Sequence, residues 1–261
     1  MSDVPDPVSG EGRVLVIVPT FNERASIQEV ARLVLAAGPA LDLLVVDDSS
    51  PDRTAEAVRE FASSTGGRRV HLIERAGKLG LGTAYIDGFR WALRRGFGAV
   101  VEMDGDLSHD PRVVPRLVES LRHADLVIGS RYVSGGEVRN WSLLRRTLSL
   151  TGNLYARIAL GFEVRDSTSG FRAYRSAWLD ADFPESTSEG YAFQIEMTRR
   201  IHRSGGRILE IPIVFTERST GRSKMSRRIV VEATWSVAWW ALRDRFDGRS
   251  PNEAAPPFSR P

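Results

Sequence analysis

Five short apolar runs punctuate the first half of the chain, at residues 14–18, 43–46, 70–73, 99–103 and 126–129, and an amphipathic stretch follows each of the first four. Runs of four or five residues that are largely apolar are typical of strands buried on both faces, the habit of parallel sheets. Between them apolar residues recur at helical spacing. Ile27, Val30, Ala31 and Val34 share one face of Arg24–Ala37, which stops at Gly38, and Tyr85, Phe89 and Ala92 share one face of residues 83–95. Ser50 followed by Pro51 predicts an N-capped helix reaching about Phe61, and residues 111–122 predict another. This alternation confines the chain to an α/β class: a mostly parallel sheet with helices on both faces. The second half is less regular. Residues 143–159 and 191–204 read as helices, 208–215 alternate like an exposed or edge strand, and Arg227–Phe246 reads as one long helix.

Composition narrows the function classes. The chain has 261 residues, 42% of them apolar, enough for a sizeable core. It has no Cys, which excludes disulfide frameworks, zinc–cysteine sites, iron–sulfur clusters and thiol nucleophiles. No apolar run approaches the ~20 residues of a membrane span, and the acidic N-terminus, with Asp3, Asp6 and Glu11, lacks a signal-peptide layout. Residues 1–12 and 247–261 read as disordered tails around a single domain over 13–246. That domain divides by charge. Residues 1–130 carry net −4 and residues 131–228 net +7, which fits a metal-binding half (13–130) and an anion-collecting half (131–246) as well as it fits uneven surface charge. Of 36 basic residues only Lys78 and Lys224 are lysine, a weak hint that a compact ammonium is wanted there.

Polar residues gather where the runs end: Pro19-Thr20-Phe21-Asn22-Glu23, Asp47-Asp48-Ser49-Ser50, Lys78-Leu79-Gly80-Leu81-Gly82, Asp104-Gly105-Asp106, and Ser130-Arg131. Ligands of open α/β sheets bind beyond the carboxyl ends of the strands, so the five clusters are expected on one rim. In Asp104-Gly105-Asp106 a glycine between two carboxylates lets the chain turn tightly, with the oxygens facing one point. Oxygen-only ligation by few protein groups suits Mg²⁺ or Mn²⁺ bridging a diphosphate, although a lone D-x-D is also a common turn. His109 reads as a surface histidine, with a place in a Mn²⁺ site as the second reading. No P-loop and no G-x-S-x-G elbow is present, and Gly80-Leu81-Gly82 does not complete G-x-G-x-x-G.

These segments, from Val18-Pro19-Thr20-Phe21-Asn22-Glu23 through Val46-Asp47-Asp48-Ser49-Ser50-Pro51-Asp52 and Lys78–Tyr85 to Asp104–His109, resemble glycosyltransferase family 2. Gly129-Ser130-Arg131-Tyr132, Asp166-Ser167-Thr168-Ser169-Gly170-Phe171-Arg172 and Arg218–Lys224 are similar to its polyprenol (dolichol) phosphate mannosyltransferase branch, and the resemblance spans about residues 13–232. It implies a GT-A fold, a Rossmann-like sheet flanked by helices with a C-terminal helical and β-hairpin acceptor region. It also implies transfer of mannose from GDP-mannose to a polyprenyl phosphate with inversion. Carried over, Pro19, Phe21, Glu23, Val46, Asp48, Lys78 and Gly105 would line the nucleotide-sugar pocket. Asp104 and Asp106 would hold Mg²⁺ or Mn²⁺ and the donor diphosphate. Arg131, Arg218 and Lys224 would contact phosphates or close over the donor, and Arg131 would join the two aspartates as the catalytic set. Ser108 stands where some relatives carry Gln, which puts a third metal contact there in doubt or routes it through water.

Elementary chemistry agrees. A departing nucleoside diphosphate calls for a divalent cation and Arg or Lys. A phosphate monoester is already an anion near neutral pH, so the site needs no strong general base. Arg131, Arg145 and Arg146 are the candidate acceptor-phosphate ligands; the last two also read as solvated helix arginines. A lipid acceptor requires membrane contact, so the expected location is the cytoplasm, peripheral to the inner face of the membrane, with room for a separate anchoring partner. Arg227–Phe246, with Val231, Trp235, Ala238, Trp239, Trp240 and Leu242, has the composition of an in-plane interfacial helix. Because Trp240 falls near Glu232 and Asp244, docking of the Trp face on the core is slightly favoured. Three rival readings stay open: a UDP-glucose-dependent glucosyltransferase on the same fold, a non-catalytic nucleotide-sugar or metal-binding module, and a nucleic-acid binder. The acidic rim argues against the last despite a pI of 9.6.

Overall fold

The computed structural model describes residues 12–65, 67–179, 190–217 and 227–246. Strands β1 (Val14–Thr20), β2 (Leu41–Asp47), β3 (Val70–Glu74) and β4 (Ala99–Glu102) run parallel in the order β3-β2-β1-β4. Helices α1 (Arg24–Ala37), α2 (Thr54–Ser64) and α3 (Leu81–Leu93) connect them. The register runs from Val14 opposite Leu41 to Thr20 opposite Asp47 on one side, and sets Ile17 opposite Glu102 on the other. Beyond β4 lie β7 (Arg172–Arg175), then β5 (Leu126–Ser130), then β8 (Ile208–Pro212) at the edge. β7 is antiparallel to both of its neighbours, so β5 keeps the direction of β4 and both end on the same rim.

The strands are buried on both faces, as their apolar runs require. Val14, Val16 and Val18 face one core layer with Ile27, Val30 and Val34 of α1 and with Val114 and Leu117 of α4 (Val114–Ser120). Leu15 and Ile17 face the other, with Tyr85, Phe89 and Ala92 of α3, Ala156 of α5 (Leu143–Leu160), and Phe193 and Met197 of α6 (Tyr191–Arg203). The last helix, α7 (Arg227–Phe246), packs on α5 and α6 through Val237 and the half-buried Trp240. Asp244 pairs with Arg199 and Arg203 of α6, which accounts for an acid on the inward side of α7.

Several local expectations are corrected. α2 begins at Thr54, not at Ser50–Pro51: the Ser50 hydroxyl donates to Asp47, and it is Asp52 that accepts the Thr54 amide at 3.0 Å. Residues 111–122 form a 3₁₀ turn, Pro111–Val113, followed by the shorter α4. Residues 208–215 split at Ile213. The second part, β9 (Val214–Thr216), leaves the main sheet and pairs with β6 (Glu137–Arg139). That pair is parallel and its strands are far apart in sequence, so it is not the hairpin expected for the acceptor region; parallel neighbours cannot be joined by a tight turn. The expected tails, 1–12 and 247–261, fall outside the described residues except for Gly12.

Close packing of α3 on β1 uses Gly88, where an added Cβ would stand 2.7 Å from Ile17 Cδ1 and 2.8 Å from Ile17 Cγ2. Alanine adds about 1 kcal/mol of helix propensity, but overpacking against a branched, fully buried side chain costs about 1–3 kcal/mol. Gly88→Ala is therefore expected to lower stability by about 1 kcal/mol in urea denaturation. A gain in stability would show that this contact is not tight.

Candidate active site

The rim formed by the strand ends divides the acidic residues into structural and open ones. At the end of β2, Asp47 is buried and serves the turn. It accepts from the Thr20 hydroxyl at 2.7 Å, the Ser50 hydroxyl at 2.6 Å and the Ser50 amide at 2.9 Å. Its neighbour Asp48 faces α3. One oxygen accepts from Arg75 Nη1 at 2.8 Å and the other from the Leu79 amide at 3.2 Å. Burial raises the Asp48 carboxyl above the usual range, with Arg75 and backbone amides pulling against it. Arg75 also donates to the Gly80 carbonyl and the Thr83 hydroxyl, so this arginine fastens the start of α3 to the DD pair. Lys78 Nζ stands 4.4 Å from the centroid of the Phe21 ring, bringing the first and third rim clusters together. Pro19 and Phe21 are half-buried at the rim, and the Glu23 amide is tied to Thr54 Oγ1 at 3.1 Å. Val46 is fully buried: its side chain belongs to the core, leaving only its backbone near the rim.

Asp104 and Asp106 follow β4. The Asp104 side chain is 38% exposed, and a Cβ at Gly170 would sit 3.8 Å and 4.0 Å from its two oxygens, so the glycine keeps the space over that carboxylate open. Asp106 Oδ1 accepts the Ser108 amide at 3.1 Å. Gly105 does not make the turn by a left-handed backbone. Leu107, at φ 62°, does that, and Gly105 is needed because a Cβ would press to 3.0 Å from Val18 Cγ1. His109 is buried rather than at the surface, stacked on Phe171 at 4.9 Å and edge-on to Phe215 at 5.3 Å. Its Nδ1 accepts the Asp104 amide at 3.3 Å, and burial pushes its pKa down to about 4, with Asp106 opposing. It acts as a neutral prop under the Asp104 loop. Among the described residues no three His, Cys, Asp or Glu side chains group as a metal cage. Two carboxylates on a turn suit a hard cation that draws its remaining ligands from water and a diphosphate, so the donor set fits Mg²⁺ or Mn²⁺.

Beneath this loop Glu102 is fully buried, bonded to Gln194 Nε2 at 2.9 Å and opposite Arg172 in the register of β4 and β7. Arg172 is itself fully buried and donates to the carbonyls of Ser169, Ser167 and Gln194 at 2.6, 2.5 and 2.7 Å. At the end of β5, Arg131 is buried against Asp166. Nε and Nη2 reach the two carboxylate oxygens at 2.8 and 2.6 Å, and Nη2 also reaches the Thr168 hydroxyl at 2.8 Å. Burial works against the Arg131 charge, but Asp166 outweighs it and raises the pKa further. Arg145 lies over Trp141, 4.2 Å from the ring centroid, and pairs with Glu217; Arg146 is exposed. Arg218 and Lys224 lie outside the described residues.

Next to Arg131 a largely apolar cavity of about 70 Å³ opens between α5, α6 and α7, with Trp141, Arg145, Ser149, Tyr155 and Thr168 in its wall. The outward faces of α5 and α7 are apolar as well. Val231, Trp235, Trp239, Leu242 and Phe246 fall in one narrow sector of α7 and are each more than half exposed, as are Leu143, Leu144 and Ile158 on α5. The Trp face of α7 is therefore not docked on the core; only Trp240 turns inward. Among the described residues no helix is long and apolar enough to cross a membrane.

Reading by residue type missed Arg75, Glu102 and Gln194 as supports of the rim, since none stands in a motif that advertises ligand chemistry. Asp166 and Thr168 sat in a segment already singled out, but nothing in the sequence said that they face Arg131.

The sequence profile of Glycosyl transferase family 2 matches residues 15–183. The chain is 49% identical over 237 residues to the undecaprenyl-phosphate mannosyltransferase of Micrococcus luteus, covering 90% of this chain and 97% of that protein. It is 46% identical over 245 residues to the polyprenol monophosphomannose synthase of Mycolicibacterium smegmatis, covering 93% and 92%. Among solved structures, glucosyl-3-phosphoglycerate synthase from Mycobacterium tuberculosis, in complex with Mn²⁺, UDP-glucose and phosphoglyceric acid, superposes with a TM-score of 0.63 at 22% identity, covering 89% and 82%. A mannosyltransferase from Pyrobaculum calidifontis in complex with GDP-Man and Mn²⁺ gives 0.55 at 19% identity, covering 94% and 78%. At such identities the structural likeness concerns the fold, which is of GT-A type.

The Glu102 carboxyl is pushed up to about 7, chiefly by burial, against the pull of Arg172 and Gln194. Held neutral in the folded chain, it contributes stability that is complete below its ordinary value of 4.5 and is lost as pH climbs towards 7. Wild-type stability is expected to fall relative to Glu102→Gln by roughly 3 kcal/mol between about pH 5 and about pH 8 in urea titrations. Parallel curves for the two proteins would refute the shift.

Proposed function

Because the chain belongs to glycosyl transferase family 2, we propose that it transfers mannose from GDP-mannose to a polyprenyl monophosphate, with inversion at the anomeric carbon. The names of the two relatives close to half identical support mannosyl transfer onto a polyprenyl phosphate. The observation that carries the reading to this chain is the pairing on one rim. Open carboxylates stand at the end of β4, and at the end of β5 an arginine is bonded to Thr168 in the wall of an apolar cavity, beside helices whose outward faces are apolar.

In this reading Pro19, Phe21, Glu23, Asp48 and Lys78 bind the guanosine side, the orientation of Asp48 being set by Arg75. Asp104 and Asp106 hold a divalent cation, which when bound neutralises charge developing on the diphosphate. Arg131, Arg145 and Arg146 hold the acceptor phosphate, and Arg218 and Lys224 contact the phosphates of the donor. The acceptor oxygen forms a bond to the anomeric carbon as the bond from that carbon to the diphosphate oxygen breaks, and GDP departs with the electron pair. The attacking phosphate oxygen is already ionised, so no side chain has to take a proton, which agrees with a buried, neutral His109 that serves as a support. The cavity accepts the first part of the prenyl chain, while the apolar rows of α5 and α7 rest on the membrane surface and keep the reacting phosphate at the interface.

The test is incubation with labelled GDP-mannose and a short polyprenyl phosphate, with and without Mg²⁺. Lipid-extractable label should form, vanish with EDTA, and drop about a hundredfold in Asp104→Asn. Undiminished transfer in that variant would sink the assignment, and a thermal shift with UDP but not GDP would favour the glucosyl reading. Replacing Trp235 and Trp239 together by Gln should weaken sedimentation with anionic lipid vesicles about tenfold. Unchanged sedimentation would remove α7 from the membrane contact.

A further inference from the structure

The Thr168 hydroxyl has no hydrogen-bonding capacity left for a ligand. It accepts from Arg131 Nη2 at 2.8 Å and from Asn153 Nδ2 at 3.1 Å, and it donates to Asp166 Oδ1 at 3.3 Å. A hydroxyl offers two lone pairs and one proton, so it is saturated although it borders the cavity. Asn153 stands on the inward face of α5, only 2% exposed. Its amide also donates to the Ser149 carbonyl at 2.9 Å, and its carbonyl accepts from the buried Ser167 hydroxyl at 3.0 Å. The opposite face of the same helix carries the exposed Leu144 and Ile158. A second tie runs from the Tyr132 hydroxyl, next to Arg131, to the Ser149 hydroxyl at 2.7 Å.

The geometry of Arg131 explains why such ties matter. Its guanidinium is planar, and fixing Nε and both hydrogens of Nη2 fixes the direction in which Nη1 points. Asp166 takes Nε and one Nη2 hydrogen, and Thr168 takes the other. No described residue accepts a hydrogen bond from Nη1. Tyr132, Trp141 and Phe215 surround the group, with ring centroids 5.3, 5.3 and 5.8 Å from Cζ, and limit the water that would otherwise compete for it.

We propose that Thr168 and Asn153 are positioning residues that transmit the seat of α5 to the Arg131 guanidinium, so that Nη1 is aimed at the acceptor phosphate only when this helix is in place. The inference rests on the reading of Arg131 as an acceptor-phosphate ligand. It goes beyond that reading by linking the lipid-facing helix to the aim of the arginine. Neither residue bonds the acceptor phosphate; both act on it through Arg131.

The test compares Thr168→Val, which keeps shape and removes the hydroxyl, with Thr168→Ser, which keeps the hydroxyl. Thr168→Val is expected to raise the KM for the prenyl phosphate about tenfold, leaving the donor KM and the thermal shift caused by GDP as in wild type. Thr168→Ser is expected to restore the acceptor KM. Asn153→Ala should move the acceptor KM in the same direction, and the double variant with Thr168→Val should lose less than the two effects combined. Titration with farnesyl phosphate alone, followed by calorimetry, reads the same difference without any transfer. Equal farnesyl phosphate affinity in Thr168→Val and Thr168→Ser would overturn the proposal, as would parallel loss of donor and acceptor affinity. Absence of mannosyl transfer by the wild-type protein would bring down the proposed function, while the farnesyl phosphate titration would still decide the relay.

Discussion

The buried pair between Arg131 and Asp166 is the interaction on which the acceptor half depends. Asp166 is fully buried and accepts the Arg131 amide, Nε and Nη2, as well as the Thr168 hydroxyl. Its own amide, and that of Arg165, donate to Glu210 on β8 at 2.9 and 2.8 Å. One carboxylate thus holds the end of β5 to the segment that becomes β7, while the adjoining amides tie that segment to the edge strand. Removing either partner of such a pair strands a charge in low dielectric at a cost of roughly 3–5 kcal/mol, which makes the pair a constraint on geometry more than a source of net stability. Its geometry leaves Nη1 as the part of Arg131 directed away from Asp166.

The rest of the rim follows a similar division of labour. Asp47 is engaged by its turn, Asp48 is bonded to Arg75 and the Leu79 amide at the start of α3, and the neutral His109 supports the loop that carries the more exposed Asp104. Backbone strain collects at the same place. Of five non-glycine residues with positive φ among the described ones, Asn22, Ser49, Arg53 and Leu107 lie in the loops that follow β1, β2 and β4. Left-handed backbone at residues other than glycine persists where the surroundings over-determine it, a pattern common at ligand sites. The parallel strands are rigid and buried, and the loops they carry are strained but held by buried hydrogen bonds.

Much of this was legible in the residues. The five apolar runs are β1 to β5, and Arg24–Ala37 and Arg227–Phe246 are helices with the expected bounds. β7 was not legible because Arg172-Ala-Tyr-Arg has no apolar run. Its first arginine is fully buried by capping carbonyls and lying opposite Glu102, a circumstance that only neighbours in space can supply. His109 read as a surface residue because nothing in its own segment announces Phe171 and Phe215, which arrive from distant parts of the chain. Trp235 and Trp239 turned out to face outward because Val237, Trp240 and Asp244, on the other side of α7, make its contacts with the body of the protein.

The sequence by itself determined the α/β class, the carboxyl-end rim and the residue types placed on it, because apolar runs and helical spacing are local properties of the chain. Tertiary structure alone decided which carboxylates are open, which nitrogens of Arg131 are engaged by Asp166 and Thr168, and which face of α7 meets solvent. Those outcomes depend on burial and on hydrogen-bond partners brought from 14 to 92 residues away, such as Asn153 to Ser167 and Gln194 to Glu102, and no local pattern encodes them.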